Sequence, residues 1–291
     1  MSREAADVAA ARAALEEALA GDVDVQRAKL ERLAGGTHRR SWLVAFTDGR
    51  RAVLRMPVAR SHALLDLATE ARAMDAAALA GIAPRVLAAH AATGVLLTEH
   101  HGGTPWTSAD TREHGNIVRL AALLRTLHAL PVELPVFAAE RIASRYLAAL
   151  PREIGEPRAA EWAEELVRLA RRYDSRYAPT AFCHNDLVAV NVLDDGELVL
   201  VDFEYAVRAD PLLDLANAAA MSGFDAGQRR ALLAAYRGVA PARSELAEIT
   251  WLIRMVRLMA WFWALLGATS ADDASSYAPY LAKHGDWLRQ E

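Results

Sequence analysis

The chain has 291 residues, 53% hydrophobic and 24% charged, with 33 Lys+Arg against 37 Asp+Glu and a formal net charge of −4. That balance excludes a disordered chain, which lacks apolar surface to bury, and a non-specific nucleic-acid binder, which needs a basic excess. Cys183 is the only cysteine, so a disulfide framework is excluded as well. Residues 1–20 are studded with Arg, Glu and Asp and do not read as a signal peptide. The most apolar stretch, 249–268, carries Arg254 and Arg257, which are costly in a membrane span. The expectation is a cytoplasmic protein with no membrane insertion and no nucleic-acid partner.

An Ala/Leu/Glu-rich run with apolar residues at helical spacing predicts a leading helix over 4–20, closed by Gly21. Strand texture follows at 29–33 and breaks at Gly35-Gly36. Residues 41–47 and 52–56 predict two strands joined at Asp48-Gly49, the second stopped by Pro57. A helix over 62–80 ends at Gly81, and 84–90 with 95–101 predict another hairpin around Thr93-Gly94. This is a small antiparallel sheet with one main helix. After Gly102-Gly103 the texture turns helical, with helices near 109–130, 140–150, 158–173, 211–221, 227–237 and 244–266, and a last one after Ser275. One interruption, 180–205, holds two short apolar runs, 190–193 and 198–203, around Asp194-Asp195-Gly196. The fold class read from this pattern is α+β in two lobes, 1–101 and 102–291.

The segment Cys183-His184-Asn185-Asp186-Leu187 is followed by Asn191 and then by Val201-Asp202-Phe203-Glu204-Tyr205. Phosphoryl transfer from ATP asks a protein for a carboxylate that accepts the proton of the attacking hydroxyl, plus oxygen ligands for Mg2+. Asp186 suits the first role, and Asn191 and Asp202 suit the second, brought together by the hairpin between them. Asparagine is scarce here, with four in the whole chain, and one falls at the demanded spacing. Other readings are weaker. Cys183 beside His184 suggests a thiol nucleophile, but the two are sequence neighbours inside the better-explained motif. His100-His101 lacks companion ligands at metal spacing. His128, in Thr126-Leu127-His128, reads as a helix-packing histidine.

These motifs resemble the protein-kinase-like small-molecule kinases, which comprise choline/ethanolamine kinases, aminoglycoside phosphotransferases and thiamine kinases. Cys183–Leu187 with Asp202–Tyr205 is most similar to the choline kinases. The resemblance spans nearly the whole chain and implies a bilobal kinase-like fold that uses ATP and Mg2+. It implies Asp186 as base, Asn191 and Asp202 as metal ligands, and His184 as a brace of the catalytic loop. Asp214 matches a structural carboxylate that holds the same loop. Gly35-Gly36 resembles the family's phosphate-covering turn, where backbone N–H groups approach the nucleotide. The family often has Asn where this chain has Arg39. The only lysines are Lys29 and Lys283, so the strand lysine of a protein kinase is missing, and Arg55 stands at its position. Glu70 is its natural partner and Asp66 the alternative. Glu99 to His101 would form the hinge that receives adenine.

A quaternary ammonium is held by aromatic faces through cation–π attraction. The C-terminal region offers Trp251, Trp261, Trp263, Tyr277 and Tyr280. The spacing of Trp263, Tyr277 and Tyr280 resembles the choline-pocket aromatics of choline kinases. Tyr205 matches a choline-contacting tyrosine, and Glu204 would add negative charge near the ammonium. Where the family often has a second Trp, this chain has Ala260, with Trp261 one residue late. The function expected is transfer of the ATP γ-phosphate to a small amino alcohol, choline first, with thiamine or an aminoglycoside as alternative acceptors. A non-catalytic nucleotide-binding pseudokinase is disfavoured by the presence of Asp186, Asn191 and Asp202.

Overall fold

The computed structural model describes residues 3–19, 25–33, 39–57, 66–151, 154–270 and 274–290. Gly21, Gly35, Gly36 and the expected helix start at residue 62 lie outside them. In chain order the elements are α1 (Arg3–Leu19), β1 (Lys29–Arg32), β2 (Arg39–Ala45), β3 (Arg51–Pro57), α2 (Leu67–Leu79), β4 (Val86–His90), β5 (Val95–Glu99) and β6 (Thr104–Pro105). There follow α3 (His114–His128), α4 (Ala139–Ala149), α5 (Ala159–Arg176), β7 (Ala181–Cys183), β8 (Val192–Asp194), β9 (Leu198–Leu200) and β10 (Val207–Ala209). The chain closes with α6 (Pro211–Ser222), α7 (Ala226–Arg237), α8 (Arg243–Ser270) and α9 (Ala278–Gln290). Two compact units emerge, 1–104 with 193–205, and 105–192 with 206–291.

A single boundary at 101/102 therefore leaves out one segment, since 193–205 returns to the first unit. Hydrogen bonding supplies the reason. The Leu200 N–H donates to the Ile82 carbonyl at 2.8 Å, and the turn Phe203–Tyr205 packs on α2.

In the first unit, the strands β1–β5 form an antiparallel sheet in the order β1-β2-β3-β5-β4. Period-two alternation turns Trp42, Val44, Ala52, Leu54, Val95 and Leu97 to one face, where Ala11 and Leu15 of α1 cover them. The register pairs Arg39 with Pro57 and Ser41 with Arg55, so Arg39 and Arg55 share the other face. Asp66 caps helix α2, accepting from the Ala68 N–H at 3.0 Å and the Thr69 hydroxyl at 2.6 Å. Such a cap contributes about 1 kcal/mol, and it removes Asp66 as the partner of Arg55. The strand expected over 198–203 stops at Leu200. Asp202 takes a left-handed backbone, φ 69°, and the chain turns at Phe203–Tyr205.

The second unit is helical around α8, against which α4, α5, α6 and α9 pack. Residues 243–269 are long and apolar enough to cross a membrane, and more than half of their most apolar 18-residue stretch is buried inside the protein. Its two central arginines are engaged. Arg254 pairs with Glu165 at 2.8 Å, and the Arg257 guanidinium lies 4.5 Å from the Trp287 ring centroid. The helix expected over 109–130 is shorter, because Asp110 Oδ2 accepts from the Thr107 N–H and hydroxyl, both at 2.7 Å. This folds a turn ahead of α3. A two-stranded ladder, β7 with β10, was not anticipated from the sequence pattern.

Candidate functional site

In the second unit, the loop after β7 carries His184, Asn185 and Asp186, and it hangs from α6 by side chains. Asp214 is fully buried and accepts from the backbone N–H of His184 and of Asn185, each at 2.8 Å. Asn217 accepts the Leu187 N–H at 2.7 Å and donates to the Asn185 carbonyl at 3.3 Å. These bonds hold Asn185 at φ 62°, a conformation few side chains adopt unaided. The His184 ring is buried, and its Nδ1 accepts the Asp186 N–H at 3.3 Å. Asn191 donates through Nδ2 to the Asp186 carbonyl at 3.0 Å and to its Oδ2 at 2.9 Å. So His184, Asp186 and Asn191 form one hydrogen-bonded set, with the carboxylate oriented by an amide.

His128 is more than a packing histidine. Its Nε2 lies 3.1 Å from Asp214 Oδ2 and its Nδ1 2.8 Å from the Tyr236 hydroxyl, so α3 and α7 also brace the loop. With Cys183 it could be taken for a buried metal triad, since the three ligand atoms fall within 4.8 Å of one another. The bonds already made by Asp214 and His128 leave no open donor set. The thiol donates to the Asp210 carbonyl at 3.6 Å and burial pushes its pKa well up, which removes the nucleophile reading.

The first unit contains a cluster of two arginines and three carboxylates. Arg55 Nη1 pairs with Glu70 Oε1 at 2.9 Å, and its Nη2 with Asp202 Oδ1 at 2.5 Å. Arg39 Nη2 takes the other oxygen of Glu70 at 2.5 Å, and its Nε stands 3.6 Å from Glu204 Oε2. Burial raises the Glu70 pKa against the pull of both arginines. Burial, joined by the Asp202 charge, raises that of Glu204 well above its ordinary value. Glu204 therefore faces the arginines. Tyr205 follows it on the same turn, half-buried. Glu99 ends β5, pairs with Arg85 at 2.9 Å, and donates its N–H to the Arg85 carbonyl. His101 Nδ1 accepts the Gly103 N–H at 3.1 Å, and a Cβ on Gly103 would lie 2.8 Å from that nitrogen and 3.0 Å from the Asp194 N, so only glycine fits.

The C-terminal aromatics divide into groups. Trp263 meets Tyr277 and Tyr280 edge to face, at 5.4 and 5.6 Å between centroids. Tyr277 is buried against Gly267, while Tyr280 is 38% exposed. Burial raises the Tyr280 pKa and the Asp186 charge raises it further. Trp261 instead packs in the core on Trp162, at 5.0 Å. Trp251 lies under Arg172 and donates to Glu248.

Residues 29–249 match the model of the phosphotransferase enzyme family. The chain belongs to that family. A choline/ethanolamine kinase family protein from Mesorhizobium loti is 26% identical, over 97% of this chain and 94% of its own, with a TM-score of 0.80. A choline kinase from Streptococcus pneumoniae (18% identity, 95% and 98% coverage, TM-score 0.75) and a macrolide 2'-phosphotransferase (18%, 99% and 98%, 0.65) share the fold. No curated protein matches the sequence.

The donor chemistry of this phosphotransferase fits a hard divalent cation. In the second unit, the side-chain bonds of Asn191 among the described residues both use Nδ2, which leaves its amide oxygen for ligation. In the first unit, Asp202 offers a carboxylate of the same hard-oxygen class. Two residues of the arrangement escaped sequence reasoning. Arg39 opens a strand, where an arginine is ordinarily solvated, and His128 lies in a leucine-rich helix. For His128 the signal was available, because a histidine between leucines on a buried helix face needs a polar partner.

Proposed function

We propose that this phosphotransferase moves the γ-phosphate of ATP to the hydroxyl of a small cationic amino alcohol, choline first. Asp186 accepts the hydroxyl proton as the acceptor oxygen bonds to the γ-phosphorus and the bond to the bridging oxygen of ADP breaks. Asn191 and Asp202 hold Mg2+, which when bound neutralises charge on the phosphates. Arg55, positioned by Glu70, holds the phosphates together with the backbone N–H groups of Gly35 and Gly36, and the Glu99–His101 backbone receives adenine. His184 and Asp214 keep the loop in place.

The observation that carries the acceptor assignment is the cluster of Trp263, Tyr277 and Tyr280, which meet edge to face with Tyr280 outermost and exposed. Ring faces bind a quaternary ammonium without hydrogen bonds, at roughly 0.5–2 kcal/mol per ring. Tyr205 is the further ring of this reading. An aminoglycoside, with several ammonium groups, would call for several carboxylates instead. An ADP-release assay with choline, ethanolamine, thiamine and an aminoglycoside tests the proposal. Turnover with choline above the others supports it, and turnover with the aminoglycoside alone overturns it.

A further inference from the structure

Arg39 is 6% exposed, and three of its nitrogens have different fates. Nη2 forms an ion pair with Glu70 Oε2 and Nε faces Glu204, while Arg39 Nη1 and Glu70 Oε2 are both buried without a hydrogen-bond partner among the described residues. A buried guanidinium N–H without an acceptor forfeits its hydration with nothing in return, so such groups mark places where something else binds. Arg55 is different, with Nη1 on Glu70 and Nη2 on Asp202. The two arginines share one face of the sheet and divide the two oxygens of Glu70 between them. Glu70 therefore spaces a pair of guanidinium groups, one committed and one with a donor to spare.

The missing acceptor is an anion or a strong oxygen acceptor, because the donor is a buried permanent cation. Arg39 opens β2, three residues after Gly36 in the sequence. We propose that Arg39 is a second phosphate-binding arginine, whose Nη1 donates to an oxygen of the nucleotide di- or triphosphate while Nη2 stays on Glu70. A planar fork suits a phosphate better than an ammonium does, and the chain has almost no lysine to offer. The inference rests on the nucleotide-dependent reading above and adds to it a residue at a position where the family often has asparagine.

Isothermal titration with MgADP and with adenosine, on wild type, Arg39→Gln and Arg39→Lys, tests it. Arg39→Gln should weaken MgADP about tenfold and leave adenosine within about twofold, with Arg39→Lys between wild type and Arg39→Gln. Equal MgADP affinity in wild type and Arg39→Gln overturns the inference, as does an equal loss for both ligands, which marks a structural role. Should Arg39→Gln fail to fold, Arg39→Lys decides alone, since it keeps the charge beside Glu70 but lacks the fork. A selective MgADP loss of about threefold or more supports the inference, and no loss sinks it. A wild-type chain that ignores MgADP overturns the nucleotide reading and this inference together, whereas normal wild-type binding with an unaffected variant overturns this inference alone.

Discussion

Arg55 joins Asp202 at 2.5 Å while its other terminal nitrogen holds Glu70 at 2.9 Å, so the cation expected to hold phosphates is already bound to two carboxylates. Burial works against the charged guanidinium, but Asp202, Glu70 and Glu204 together raise its pKa. It stays charged throughout, and any exchange of Asp202 for phosphate is a change of partner without a proton step. Glu70 is the fixed point of that exchange.

Arg55→Ala should therefore raise the KM for ATP and lower kcat, costing about ten- to a hundredfold in kcat/KM, the scale of a lost charge-assisted hydrogen bond. Arg55→Lys restores only part, because a point charge cannot span Glu70 and a phosphate as the fork does. Steady-state kinetics over ATP concentration checks this. An unaltered ATP response in Arg55→Ala would show that another residue holds the phosphates.

Asp186 and Asp202 should separate kinetically. Asp186→Asn keeps the side chain's size and its neighbour Asn191 but cannot take a proton, so kcat falls by about 10²- to 10⁴-fold while ATP affinity changes little. Asp202→Ala should instead abolish the Mg2+-dependent part of nucleotide binding. Titrating each variant with ATP analogue, with and without Mg2+, separates the two; full activity in either one defeats the assignment.

Part of this arrangement was readable beforehand. The resemblance implied Glu70 as the partner of Arg55, and the structure puts them in an ion pair. The spacing of Asp186 and Asn191 is matched by a hydrogen bond at 2.9 Å. What escaped depends on contacts between residues distant in sequence. Arg39 finds Glu70 and Glu204 only once the sheet has formed, and no local pattern marks a buried arginine. The left-handed backbone at Asp202 is likewise invisible, since Asp rarely takes that conformation unless its surroundings impose it. His128 is buried on α3 as expected, but its polar contacts to Asp214 and Tyr236 are not visible in a leucine-rich helix pattern.

His284 should make the folded protein sensitive to acid. Its ring is buried, its Nδ1 meets no partner among the described residues, and burial beside Lys283 and Arg257 pushes its pKa down to about 3. Unfolded, the same ring titrates near 6.5. The unfolded chain thus gains a proton that the folded chain refuses, so stability is full above pH 6.5 and falls as pH drops from 6.5 towards 3. His284→Gln should flatten this. Between pH 7 and pH 4.5, wild type should lose roughly 2 kcal/mol more stability than the variant in urea unfolding. Parallel losses would assign the acid sensitivity to other groups.

Acceptor binding turns on how the aromatic cluster is packed. Gly267 is required by Tyr277, because a Cβ there would lie 2.1 to 2.4 Å from the tyrosine ring. Tyr277 in turn sets the edge of Trp263, which also meets Tyr280. If these rings hold an ammonium, Trp263→Ala weakens choline binding by about 1–2 kcal/mol, a roughly five- to thirtyfold rise in Kd, with ATP binding nearly intact. Gly267→Ala should produce the same selective loss without removing any ring, since the added methyl displaces Tyr277. The thermal midpoint must be followed for both, because a large fall would mark lost core packing. Choline should bind better than ethanolamine, whose primary ammonium is more strongly hydrated. Isothermal titration of wild type with choline, with ATP analogue and Mg2+ present, decides the matter: no detectable heat removes choline and leaves thiamine or another alcohol as the acceptor.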